Sequence, residues 1–219
     1  MKIKAIIFDV DDTIINTSES AFINMNKAAE ILKLKKISKE QFLEQWGHTT
    51  EKVVSSHWPG LDIKKFNQVY DQIAYNNIYP LFEGARETLE YLKGRFILGV
   101  LTSRTSITLP KRFKQVNLSL DYFKFIQYSD ETDIHKPNPN VFEPILKKFS
   151  KLKIKNEEIL YIGDHLYDAK AALPNSLNFI GVLSGTTKKE DFINLGVNPK
   201  NIISSVKDLP KWLKSNKVV

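Results

Sequence analysis

Apolar and polar positions follow two rhythms along this chain, and the change of rhythm divides it. The first apolar run, Ile6-Ile7-Phe8, is continuous rather than alternating. Runs of this kind suit a strand buried on both faces of a parallel sheet. Between residues 17 and 80 the rhythm is helical. Phe22, Met25, Ala29 and Leu32 share one helix face. Ser38 and Gln41 have the spacing of a capping box, opening a second helix through Trp46. Gly47-His48-Thr49-Thr50 interrupts it, and a third short helix runs toward Trp58. After the Pro59-Gly60 turn, Asp62 caps a fourth helix carrying Ile63, Phe66, Tyr70 and Ile73, which Pro80 ends.

From Gly84 helices and strands alternate. Ala85, Leu89 and Leu92 mark a short amphipathic helix, and residues 96–101 a second buried strand ending in Thr102-Ser103-Arg104. A helix through Phe113 follows, then a strand at 125–128. Asn138 and Pro139 open another helix, with Phe142, Ile145 and Phe149 inward and a kink expected at Pro144. A fourth strand, 159–162, runs into Gly163-Asp164, and a fifth covers 178–182. The pattern predicts an α/β fold with a parallel sheet flanked by helices, residues 1–16 and 81–219, and an inserted all-helical unit, 17–80.

Composition narrows the field. At 219 residues, 42% hydrophobic and 26% charged, the chain reads as an ordinary globular protein. Without cysteine it has no disulfide, thiolate metal site or cysteine nucleophile, and a reducing, cytoplasmic setting is expected. Asp9 interrupts the first apolar run too early for a signal peptide, and no run is long enough to span a membrane. The net charge of +7 comes from 28 lysines and only 4 arginines, spread over presumed helix faces and loops. Readers of phosphate backbones and base edges lean on arginine, so no nucleic-acid partner is expected, and the lack of a spanning run argues against a membrane partner.

The candidate chemistry lies where strands end. Ionised carboxylates leave water only when paired, hydrogen-bonded or metal-bound. Asp9 and Asp11 end the first strand, two residues apart and so on one face of an extended chain. Taken alone they fit either an Asp-rich turn or a site with a divalent cation, a nucleophile and an acid/base partner. Thr102 follows the second strand, Lys136 lies in the loop after the third, and Asp164 and Asp168 follow the fourth. In open α/β sheets ligands bind beyond the carboxyl ends of the strands, so these residues are expected to converge.

In this order they resemble the haloacid dehalogenase superfamily: Asp9-Val10-Asp11-Asp12-Thr13, then Thr102, Lys136, and Gly163-Asp164-His165-Leu166-Tyr167-Asp168. The helical insertion, the Phe82-Glu83-Gly84 entry and the Lys136-Pro137-Asn138-Pro139 loop resemble the branch that includes phosphoglycolate phosphatase-like enzymes. The resemblance implies a Rossmann-like core with a helical cap, and a Mg²⁺-dependent phosphatase acting on a small phosphorylated metabolite. It implies Asp9 as nucleophile, forming an aspartyl-phosphate, and Asp11 as general acid/base. Thr102 and Ser103 would meet the phosphoryl group, with Lys136 countering its charge. Asp9, Asp164 and the main-chain carbonyl of Asp11 would hold the metal, with Asp168 orienting Lys136 or a bound water. His48 is a further candidate for substrate contact. Asp12 stands where relatives often have glycine, Asn16 and Ser103 where many have an acidic residue and Asn, and Leu173-Pro174-Asn175-Ser176 replaces the usual Ala-Gly turn. A sugar-phosphate mutase, or a phosphometabolite-binding protein without turnover, would use the same core.

Overall fold

The computed structural model describes residues 2–46 and 50–218, and His48 lies outside them. In chain order the elements are β1 (Ala5–Phe8), α1 (Thr17–Ile31), α2 (Lys39–Glu44), α3 (Thr50–His57), α4 (Ile63–Asn76), α5 (Ala85–Leu92) and β2 (Ile97–Leu101). They continue with α6 (Thr108–Gln115), β3 (Phe125–Gln127), α7 (Glu143–Ser150), β4 (Ile159–Gly163) and α8 (Leu166–Ala172). The last are β5 (Asn178–Val182), α9 (Lys189–Asn194), β6 (Ile202–Ile203) and α10 (Leu209–Ser215).

The strands form one sheet in the order β3-β2-β1-β4-β5-β6. Every pairing is parallel, with Ile7 opposite both Gly99 and Tyr161. Central β1 is buried at all four positions, as a strand covered on both faces must be. Side chains alternate across it. Ala5 and Ile7 join Tyr161, Phe179, Phe142, Phe149 and Phe192 in one apolar cluster. Phe8 meets Phe123 edge-on, and Phe123 packs on Phe113 of α6.

The chain separates into two compact units, one of residues Met1–Asn16 and Pro80–Val219, the other Thr17–Tyr79. The insertion leaves and rejoins the α/β unit at a single place. Asn16 N donates to Pro80 O at 2.8 Å, and Ile15 bridges Leu81.

The helical unit has its own core, with Met25, Ala28, Phe42, Val54, Trp58 and Phe66 buried together and Trp46 packed against them. Its helices begin where their caps allow. Ser38 and Gln41 close the reciprocal box of α2, and Asp62 accepts from Lys64 N and Lys65 N at the start of α4. Helix α2 stops at Glu44, short of Trp46.

Pro144 corrects an expectation. Residues 139–142 form a 3₁₀ turn, and Pro144 sits in the first turn of a separate helix, α7. A proline's missing N–H costs nothing there, so the helix starts at this point instead of kinking. Strand β6 and helices α9 and α10 extend the fold beyond the five strands that the pattern predicts.

Candidate active site

The carboxyl ends of β1, β2 and β4 supply Asp9, Thr102 and Asp164. The ladder between β1 and β4 runs one step past the strand, with Asp9 N donating to Ile162 O at 2.8 Å. The chain then turns sharply. Val10 O accepts from Ile14 N and Ile15 N, and Asp12 adopts a left-handed φ of 53°. Aspartate tolerates that conformation better than most residues, so the turn forms without a glycine.

Lys136 is the hub. Its Nζ donates to Asp9 Oδ1 and to Asp168 Oδ1, both at 2.7 Å, and to the Tyr161 hydroxyl at 3.3 Å. The hydroxyl of Tyr161 donates in turn to Asp168 Oδ1 at 2.7 Å. Asp168 Oδ2 accepts from His165 N at 3.0 Å, so the same side chain closes the N-terminus of α8. Asp168 thus caps α8 and holds Lys136 at the same time. A Cβ on Gly163 would sit 2.5 Å from Asp168 Cγ, so only glycine lets this carboxylate lie across the end of β4.

Asp9, Asp164 and Asp168 are all buried, and each offers an oxygen within 4.8 Å of the others. Three carboxylates stand against one ammonium, Lys136. Burial drives the Asp9 carboxyl up to about 7, against the pull of Lys136 and with the charges of Asp168 and Asp11 adding to the rise. Burial, with the charges of Asp168, Asp9 and Asp12, holds Asp164 well above the usual carboxylate range. For Lys136, burial alone would lower the pKa, but the carboxylates of Asp168 and Asp9 outweigh it and keep the ammonium charged. Such an excess of buried acid fits a hard divalent cation with oxygen ligands. The Asp168 oxygens are already engaged by three donors. Asp9 and Asp164 are therefore the better placed carboxylate ligands. Asp164 Oδ1 accepts from Thr13 Oγ1 at 3.3 Å, and a Cβ on Gly185 would lie 1.9 Å from Asp164 Oδ2. Ser184 ties the loop after β5 to the turn after β1, donating to Asp12 O at 2.6 Å.

The other sequence-predicted residues fall around this centre. Asp11 takes a different cation: Arg104 Nε donates to its Oδ1 at 2.9 Å, and Arg104 Nη2 reaches the same oxygen. Thr102 is buried, and its Oγ1 accepts from Arg104 N at 3.1 Å. Ser103 is exposed and lines a small pocket with Thr102, Gln127 and Lys136. His165 serves locally, its Nδ1 accepting from Tyr167 N at 3.2 Å, and burial lowers its pKa.

The sequence pattern of haloacid dehalogenase-like hydrolases matches residues 6–182. The chain belongs to that family. It is similar to the glyceraldehyde 3-phosphate phosphatase of Pyrococcus furiosus, 28% identical over 76% of this chain and 74% of the relative. It is 24% identical to pyrophosphatase PpaX of Halalkalibacterium halodurans over 95% and 96% of the two chains. Phosphoglycolate phosphatase of Nitrosospira multiformis is 25% identical over 99% and 98%. Among solved structures, a haloacid dehalogenase-superfamily hydrolase of subfamily IA from Geobacter sulfurreducens superposes with a TM-score of 0.72 at 22% identity, covering 96% of each chain. That likeness speaks to the fold, an α/β sheet with a helical insertion.

Two members of this hydrolase's site went unread in its sequence, Tyr161 and Arg104. A tyrosine in an apolar strand carried the available signal, since a buried hydroxyl needs a partner. Arg104 gave none, because its partner Asp11 lies 93 residues away.

Proposed function

We propose that this hydrolase is a Mg²⁺-dependent phosphatase of small phosphorylated metabolites, working through an aspartyl-phosphate on Asp9. The observation that carries the reading is the junction of Lys136 with Asp9 and Asp168, 2.7 Å each, inside a buried carboxylate cluster. Hydrolysis of a phosphate monoester is among the slowest uncatalysed reactions, and covalent catalysis divides it into two easier steps. In the first, an Asp9 oxygen attacks phosphorus, the bond to the leaving oxygen breaks, and Asp11 gives that oxygen a proton. In the second, Asp11 takes a proton from water, the water oxygen attacks phosphorus, and the bond to Asp9 breaks. Lys136, fixed and charged, counters the charge that develops on the transferred phosphoryl group. The Thr102 hydroxyl would donate to a phosphoryl oxygen, since its own oxygen accepts from Arg104 N. A Mg²⁺ held by Asp9, Asp164 and the main-chain carbonyl of Asp11 would supply the positive charge that keeps Asp9 ionised beside a phosphate dianion.

Purified protein with Mg²⁺ should release phosphate from p-nitrophenyl phosphate and from members of a metabolite panel. Asp9→Asn should abolish turnover, and acid-trapped protein should carry phosphate on Asp9. Phosphate trapped on any other side chain would overturn the assignment. Several relatives bear the name pyrophosphatase PpaX, which supports including inorganic pyrophosphate in the panel. Release of an isomer from a hexose phosphate, without free phosphate, would indicate a mutase instead.

A further inference from the structure

Tyr161 is the only ionisable side chain in strand β4, and it is fully buried. Its ring is held edge-on by Phe142, at 4.9 Å between centroids and 88° between planes, and the Phe179 ring lies tilted at 6.1 Å. A phenylalanine would fill this space without bringing a hydroxyl into the core. The hydroxyl instead reaches the centre of the site, bonded to Asp168 Oδ1 at 2.7 Å and to Lys136 Nζ at 3.3 Å.

The direction of these bonds follows from counting. An ammonium has three N–H donors and no acceptor. Lys136 has three acceptors in reach: Asp9 Oδ1, Asp168 Oδ1 and the Tyr161 oxygen. Each hydrogen is assigned, and the ammonium loses its freedom to turn. Tyr161 accepts from Lys136, so its own hydrogen goes to Asp168. Burial and the charge of Asp168 push the phenol well above its ordinary pKa, which keeps that hydrogen in place. A lysine is otherwise a flexible point charge on a four-carbon stem.

We infer that Tyr161 is a positioning residue for catalysis, fixing the Lys136 ammonium through its hydroxyl and through Asp168. Tyr161 itself touches no reacting atom. The inference rests on the phosphatase reading, because it concerns where the cation stands when charge moves onto the phosphoryl group. Groups that orient a site from outside its inner shell contribute about 10–100-fold to activity.

Tyr161→Phe is the test, with p-nitrophenyl phosphate as substrate and Mg²⁺ present. The kcat should fall about 10–100-fold, while KM and inhibition by inorganic phosphate stay within a factor of about two. Vanadate, which adopts the five-coordinate geometry of the transferring group, should inhibit more weakly by the same factor as kcat falls. In a Lys136→Ala background, adding Tyr161→Phe should cost almost nothing further, because the hydroxyl has lost the group it positions. A purely structural tyrosine would instead give a lower melting temperature, with kcat per folded molecule and the vanadate constant unchanged. That result overturns the inference and leaves the phosphatase reading intact. If Tyr161→Phe does not fold, Tyr161→Met fills the space with an adaptable apolar chain. Failure of both to fold makes the hydroxyl a folding element and also overturns the inference. Absence of phosphate release by the wild-type protein defeats the phosphatase reading itself, and the role of Tyr161 with it.

Discussion

Gly185 and Thr102 show how little room single residues have at this site. A side chain at 185 would have to displace the carboxylate of Asp164, since its Cβ would lie 1.9 Å from Oδ2. Asp164 is buried, so its carboxylate has few other places to go. Gly185→Ala should therefore weaken Mg²⁺ activation by at least ~10-fold, read from the metal concentration giving half-maximal turnover. It should also cost ~1–3 kcal/mol of stability by overpacking, measured by urea unfolding. Thr102→Ala removes one hydroxyl donor from the proposed phosphoryl pocket. If that hydroxyl acts like a lost oxyanion donor, kcat should fall ~10²–10³-fold with the protein still folded. An unchanged kcat would reduce Thr102 to a turn-former that accepts from Arg104 N.

Whole elements obey their local chemistry here, which makes some of them readable in advance and others not. In the helical unit the caps are decisive. Ser38→Ala and Asp62→Ala should each lower stability by about 1 kcal/mol in denaturant titrations, with kcat on p-nitrophenyl phosphate per folded molecule unchanged. Those caps were legible because a capping residue sits at a fixed offset from the first helical turn. Asp9, Asp11, Thr102 and Asp164 were legible for a related reason: each follows closely on an apolar strand, whereas Lys136 lies further along the loop after β3 and Asp168 within α8. Strand β6 was not, since two residues, Ile202 and Ile203, make no period. Pro144 misled because the turn before α7 and the helix itself share one apolar spacing, which hides the boundary between them. Gln127 carries no sequence signal beyond its place in a strand. In the fold its amide is buried, donating to Val141 O at 2.6 Å and accepting from Ile145 N at 3.0 Å. It thereby ties β3 to the turn and helix that follow the Lys136 loop.

For the molecule as a whole, the buried acids couple stability to pH and to metal. The Asp9 carboxyl stands at about 7 in the fold, against an ordinary 3.8. Below pH 3.8 it is protonated in both folded and unfolded chains, and folding carries no penalty from it. As pH rises toward 7 the unfolded chain ionises first, so stability is lost across that window and the loss is complete above it. Asp164 shifts in the same direction. A divalent cation that binds the ionised pair removes the penalty. The rise in melting temperature on adding Mg²⁺ should therefore be larger at pH 8 than at pH 6. Equal shifts at the two pH values would mean that the ion binds elsewhere.

The meeting of Asn16 with Pro80 has a further consequence. Everything from Thr17 to Tyr79 hangs from the rest of the chain by two strands of backbone at one doorway. Length or sequence added or removed beyond that doorway leaves the sheet register where it is. Evolution can thus swap the helical cassette for another while the acids and the lysine at the strand tips stay in place.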